Sequence, residues 1–411
     1  PAEKIREAII EHKADFLGLS GLLVKSATEM VNTMGVLHEA GIDIPIFVGG
    51  AALTEKFTVN KIEPAYKNNI VIYSRDAMTA LADLNKMIDE KKFEEFKEYL
   101  QKRRELVTIK DAKKLEQLKV KPTVSDIKDA DGTFDFSKVE LPKYDFEKIY
   151  KPQTLNKQII TNIKAKDVFP FINLQMLIGK HLGMKWIVNN LIEKQDPRTI
   201  KLYNEILDII ENGDEYFDIK AIYKFFPVRR KAGERKEDFK IEVLSDDLST
   251  VLETFDFPRQ KYGQYLSLND YVSPDGIDYI GFFVATAGEK SRLVSNELKE
   301  KGEFYRGHIV NSVGLELAEA TSEYIHKMMR QDVGIIDKDI SLNEILNAQY
   351  QGNRYSFGYP ACPDLSDQRK LFNLLKPERY GISLTEEFMM YPEATVSAIV
   401  FSQPFCKYFN M

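Results

Sequence analysis

The chain has 411 residues, a formal net charge of -6, and 44% hydrophobic and 29% charged residues. That composition is ordinary for a folded globular protein, and the length suggests two or three domains. No run approaches the roughly 20 apolar residues of a membrane-spanning helix, and the acidic balance argues against a generic nucleic-acid binder. Two cysteines, Cys362 and Cys406, cannot make a disulfide scaffold or a four-cysteine zinc site. They fit a reducing, cytoplasmic compartment, and no signal peptide heads the sequence.

The first 90 residues read as alternating helix and strand. Residues 1–13 place Ile5, Ile9 and Ile10 on one helical face, with Pro1 suited to a first turn. Three short apolar runs follow, "DFLGLSGL", "IPIFVGGAA" and "NIVIYS", separated by helical spacing near Ser26–Ala40 and Thr54–Tyr66. Short buried strands joined by helices of this length indicate parallel units with right-handed crossovers and a doubly wound α/β sheet. Three strands make a thin sheet with an uncovered edge, and the chain opens inside a helix, so a preceding segment is expected.

From Lys91 to Lys121 seventeen of 31 residues are charged, eleven basic and six acidic, without Gly or Pro. This reads as a solvated helix leading into a linker broken at Pro122 and "DADGTFD"; an anion-binding patch is the other reading. The domain boundaries expected are therefore 1–92, 93–133 for the charged helix and linker, and 134–411.

Beyond Phe134 helices are expected at Lys157–Ile163, Leu174–Trp186 and Thr199–Asn212, and strands at "AIYKFFPV", "FKIEVLS" and "DYIGFFVATA". A long helix at Asn311–Arg330 and a short one at Leu342–Ala348 come next. The last 21 residues read as strands joined by a turn at Pro404. Segregated helices and strands suggest an α+β domain with an antiparallel sheet.

Ser20 ends the first strand and Gly49–Gly50 the second, and ligands of open α/β sheets bind beyond the carboxyl ends of strands. The glycines could equally serve a tight turn, and Ser20 a helix cap. No Gly-x-Gly-x-x-Gly occurs. The five histidines, His12, His38, His181, His308 and His326, are expected to be solvent-facing or capping, and no metal site is expected. In "QGNRYSFGYPACPD", Pro360 and Pro363 pin a loop that can present Arg354 to a carboxylate, with Tyr359 available for stacking. An internal salt bridge of Arg354 is the alternative. Glu316, Glu319 and Glu323 recur on one face of the long helix, as a solvated face would.

"ADFLGLSGLLVKSATEMV…IPIFVGGAA" resembles the cobalamin-binding domain of the cobalamin-dependent methionine synthase family, and Arg-x-x-x-Gly-Tyr-Pro-Ala-Cys-Pro resembles its activation domain. "KDVFPF", "DYIGFFVATAG", "LELAEATSEYIH", "LTEEFMMYPEATVS" and "FSQPFCKY" extend the second likeness over residues 140–408 in family order. The resemblance implies that Ser20, Gly49, Gly50 and Ala51 line the pocket for the cobalamin tail. It implies that Arg354 holds the carboxylate of S-adenosylmethionine and Asp167 its ammonium, with Glu319, Gly358, Tyr359 and Tyr408 around the ligand. Two family positions depart: Val24 replaces a frequent threonine and Ala348 an acid. The cobalt-ligating Asp-x-His-x-x-Gly motif would lie upstream of Pro1, so the sequence looks cut inside a cobalamin domain and again before a last helical segment after Met411.

For this family the resemblance implies methylcobalamin and S-adenosylmethionine as cofactors, reductive remethylation of cob(II)alamin, and a flavodoxin-like electron donor. Upstream homocysteine, folate and cobalamin-cap domains are implied as partners, with zinc confined to the homocysteine domain; no residue here is expected to be catalytic by itself. A non-catalytic corrinoid- and S-adenosylmethionine-binding regulatory subunit is the alternative reading.

Overall fold

The computed structural model describes residues 2–21, 24–50, 53–75, 77–118, 136–184, 187–232, 239–337 and 340–410. The chain divides into two compact units, Pro1–Lys128 and Asp129–Met411. No helix among the described residues is long and apolar enough to cross a membrane.

In the first unit β1 (Leu17–Ser20), β2 (Ile46–Gly49) and β3 (Val71–Tyr73) form a parallel sheet in that order. Side chains alternate across a strand. Ile46, Val48 and Val71 therefore pack together with Ile9, Met30, Met34 and Leu37 from the helices Ala2–His12 and Val24–Glu39. Phe47 and Ile72 point the opposite way, onto Phe96 and Leu100 of the helix Glu90–Leu118. Helices thus cover both faces of the sheet.

The second unit is built on a 7-stranded sheet. Its strands are β4 (Gln158–Ile163), β5 (Ile219–Ala232), β6 (Phe239–Leu244), β7 (Val251–Phe255), β8 (Asp278–Thr286), β9 (Asn353–Tyr355) and β12 (Thr395–Phe401). The small pair β10 (Ser383–Leu384) and β11 (Met390–Tyr391) stands apart. The order is β7-β6-β5-β8-β12-β9, antiparallel throughout, with β4 on the first half of the 14-residue β5. On one face Ala221, Tyr223, Phe283, Ala398 and Val400 meet the long helix Phe304–Asp332 through Val313, Leu317 and Met329. On the other, Phe226, Phe282, Ile399 and Phe401 pack with Tyr271, Tyr355 and Phe372. Each such buried aromatic contributes about 1.5–3 kcal/mol over leaving it exposed.

Several sequence expectations are corrected. Residues 157–163, expected as a helix, contain the edge strand β4, because Ile159, Ile160 and Ile163 suit either period and pairing to β5 decides. Among the described residues of the last 21, only Tyr391, at the end of β11, and β12 are strand; beyond β12 Phe405 and Phe409 pack irregularly on Tyr271. The helix expected at 174–186 is the π-helical stretch Gln175–His181, and Trp186 lies outside the described residues. Ile10 is 61% exposed rather than buried beside Ile9. The charged helix is not solvated all round: besides Phe96 and Leu100, Arg103 pairs with Glu55 and Arg104 with Glu63. The break expected at Pro122 lies outside the described residues.

Candidate functional site

In the first unit the three parallel strands end side by side. Ser20 is exposed at the end of β1. Gly49 accepts from Gly21 N–H at 2.8 Å, and Ser74 N–H donates to Val48 at 2.9 Å. A Cβ on Gly49 would fall 2.4 Å from Ser74 O, and one on Gly50 2.3 Å from Gly21 O. Gly50 also has φ 111°, a conformation L side chains rarely adopt. The glycine pair is thus required by the neighbouring strand ends themselves. Ala51 lies outside the described residues. The Ser74 hydroxyl, just beyond β3, is buried without a hydrogen-bond partner among the described residues.

In the second unit the site forms where β9, at the sheet edge, meets the long helix. Asn353 and Tyr355 point to one face, so the pleat sends Arg354, opposite Val400 in register, to the face that the helix covers. There Arg354 Nη1 donates to Glu323 Oε2 at 2.6 Å and to the Tyr350 hydroxyl at 2.9 Å. Burial works against the guanidinium charge, but Glu323, Tyr350 and Glu319 outweigh it and push its proton affinity up. The side chain is 23% exposed, and Nε and Nη2 have no partner among the described residues.

The three glutamates on this helix face fare differently. Glu316 meets His181 Nε2 at 3.0 Å, and Glu323 holds Arg354. Glu319 has no ion pair among the described residues and opens to solvent. Crowding by the protein nonetheless raises its carboxyl above the ordinary value, with Glu316 and Glu323 adding to the rise and Arg354 opposing it.

The loop after β9 follows directly on Arg354. Gly358, at φ 85°, turns left-handed and donates to Cys362 O at 2.9 Å, while Cys362 N–H returns to Tyr359 O at 3.0 Å. Tyr359 is 44% exposed, and burial of its phenol with Glu319 nearby raises its pKa. Tyr408, 49% exposed, stacks on Tyr355 at 6.1 Å, and burial and its neighbours Cys362 and Tyr359 push it up to about 12. Glu319, Arg354, Tyr359 and Tyr408 are thereby electrostatic neighbours. Asp167 is exposed on the short helix Ala165–Val168, which packs on the long helix, and its carboxylate has no partner among the described residues.

Sequence reasoning missed the groups behind Arg354. His326 is fully buried, not solvent-facing, and burial together with Arg330 and Arg354 drives its pKa well below 6.5. Its ring meets Tyr350 edge-on at 5.2 Å, and Arg330 stacks 3.9 Å from the Tyr350 centroid. The one available signal was that Glu323, His326 and Arg330 share helical spacing with Glu319.

Two curated relatives called methionine synthase are similar along the whole chain. That of Mycobacterium leprae (strain TN) is 26% identical over 447 residues, covering 100% of this chain and 36% of the relative. That of Mycobacterium tuberculosis (strain ATCC 25618 / H37Rv) is 26% identical over 437 residues with the same coverage. The chain therefore spans about a third of the length of these relatives. In fold it is similar to a structure titled "Crystal Structure of the MetH Reactivation Domain bound to AdoHcy", with a TM-score of 0.57 and 24% identity over 70% of this chain and 87% of that one. The family model described as "Vitamin B12 dependent methionine synthase, activation domain" matches residues 159–411, more than half of the chain, and the chain belongs to that family.

Proposed function

We propose that the chain is the cobalamin-reactivating portion of a cobalamin-dependent methionine synthase. On this reading residues 1–92 hold the corrinoid tail, and residues 134–411 bind S-adenosylmethionine for reductive remethylation of the corrinoid. That step supports methyl transfer from methyltetrahydrofolate to homocysteine. The observation that carries the reading is the nearness of Arg354, 23% exposed, to Glu319, which has no ion pair among the described residues, and of Glu319 to the exposed Tyr359. S-adenosylmethionine joins a carboxylate, an ammonium and a sulfonium to an aromatic base. Arg354 suits the first, Glu319 with the exposed Asp167 suits the cationic centres, and Tyr359 and Tyr408 offer flat walls. The AdoHcy named for the MetH reactivation domain supports a ligand of this class.

The first unit fits a corrinoid tail: Ser20 and the Ser74 hydroxyl, without a partner among the described residues, stand at the carboxyl ends of parallel strands, where such sheets bind ligands. When bound, the corrinoid supplies the methyl-carrying cobalt and S-adenosylmethionine the replacement methyl. This chain's own work is binding and orientation. A flavodoxin-like donor would supply the electron, and the homocysteine domain with its zinc, the folate domain and the cap domain would be the upstream partners.

A thermal-shift titration tests the ligand class. At about 100 times its dissociation constant a ligand stabilises the folded chain by about 2.7 kcal/mol. A raised melting temperature with S-adenosylmethionine or S-adenosylhomocysteine is expected; no shift with either at saturating concentration overturns the reading.

A further inference from the structure

Three polar groups converge on one nitrogen of Arg354. Nη1 lies 2.6 Å from Glu323 Oε2, 2.9 Å from the Tyr350 hydroxyl and 3.5 Å from His326 Nδ1. An Nη carries two hydrogens, so Glu323 and Tyr350 already saturate it. The Tyr350 hydroxyl in turn donates to Glu323 Oε2 at 3.3 Å, which closes a triangle. Burial pushes that phenol up to about 12, so it stays a neutral donor. Its ring is fixed as well, between His326 edge-on and the Arg330 guanidinium, which Asp337 anchors at 2.5 Å.

This leaves the other edge of the guanidinium. Nε and Nη2 point side by side, have no partner among the described residues, and form the fork that accepts a carboxylate in bidentate fashion. A ligand carboxylate there and Glu323 on Nη1 sit on opposite edges of one cation and do not compete. We propose that Glu323 and Tyr350 are positioning residues: they hold Arg354 by Nη1 alone and so present Nε and Nη2 as a fixed fork to the carboxylate of an amino-acid-bearing nucleoside. The inference rests on the reading of the cluster around Arg354 as the S-adenosylmethionine site.

The test is calorimetric, on the full chain, with two probes: S-adenosylhomocysteine, and methylthioadenosine, which lacks the amino-acid group. Tyr350→Phe keeps the ring in place and removes only the hydroxyl. Glu323→Asp keeps the charge and shortens its reach. Each should weaken S-adenosylhomocysteine about 10-fold, the scale of one hydrogen bond to a charged group, and leave methylthioadenosine unchanged. Neither should add a further loss in an Arg354→Ala background. Equal weakening of both probes, or additivity with Arg354→Ala, means a general loosening of the site and overturns the proposal. Normal binding by Tyr350→Phe and Glu323→Asp alongside a weakened Arg354→Ala overturns the positioning role alone. An Arg354→Ala chain that binds both probes like the parent overturns the site assignment and this inference with it.

Discussion

Arg354 Nη1 lies 2.6 Å from Glu323 Oε2, so the arginine of the candidate site is already neutralised along one edge by the long helix. Glu319, one helical turn before Glu323, has no such partner among the described residues, although the spacing places both on one face. The first glutamate serves the arginine. The second faces the open side, where a cation can meet it.

Glu319 should therefore make ligand affinity depend on pH. Its carboxyl titrates above the ordinary 4.5, because the protein atoms crowded around this solvent-open side chain, with Glu316 and Glu323, outweigh Arg354. A sulfonium ligand favours the ionised form, so affinity for S-adenosylmethionine should rise with pH through that elevated value. Glu319→Gln should flatten the profile and cost about 10-fold at neutral pH, about 1.4 kcal/mol. Calorimetry from mildly acidic to neutral pH measures this; a pH slope unchanged in Glu319→Gln would remove Glu319 from the site.

His326 carries a prediction about stability. Its folded pKa is depressed well below 6.5, so the unfolded chain takes up a proton that the folded chain refuses. The stability that neutral His326 contributes is fully present above about pH 6.5 and is lost as pH falls from there toward the folded value, by about 1.4 kcal/mol per pH unit. Urea unfolding at stepped pH should show that slope in the parent chain and a reduced slope in His326→Asn. Equal slopes would contradict the buried neutral imidazole.

How far this arrangement was legible in the sequence depended on the range of the interactions. β2 and β3 announced themselves because buried parallel strands are short continuous apolar runs, and the half-exposed β1 showed through Leu17 and Leu19 in the same kind of run. β4 did not, because a half-exposed edge strand with a register shift between Ile160 and Ile163 has no clean period of two. The segment after β12 looked like strand because Phe405 and Phe409 alternate with polar residues. Those aromatics answer to a cluster around Tyr271, and the Tyr355 and Tyr271 hydroxyls hold the backbone at Lys407 O. In the site, the turn at Gly358 and the exposed Tyr359 were readable from their own residue types, whereas Arg354, expected on the same loop, sits on the edge strand β9. The separate fates of Glu316, Glu319 and Glu323 were not, since tertiary packing alone sends one to His181, one to solvent and one to Arg354.

Gly50 tests the account of the first unit. Alanine there would place a methyl 2.3 Å from Gly21 O at φ 111°. Gly50→Ala should destabilise the first unit by about 1–3 kcal/mol or more, read as an earlier unfolding transition in urea. S-adenosylmethionine binding should be retained. A transition identical to that of the parent would show that the strand ends do not need this glycine.

The most direct measurement compares S-adenosylmethionine titrations of the parent chain and of Arg354→Ala, with Arg354→Lys as a variant that keeps the charge but not the fork. The account predicts one site in the parent, a loss of about 100-fold or more in Arg354→Ala, and an intermediate affinity in Arg354→Lys, all with the far-ultraviolet spectrum unchanged. Parent-like affinity in a folded Arg354→Ala chain would contradict it.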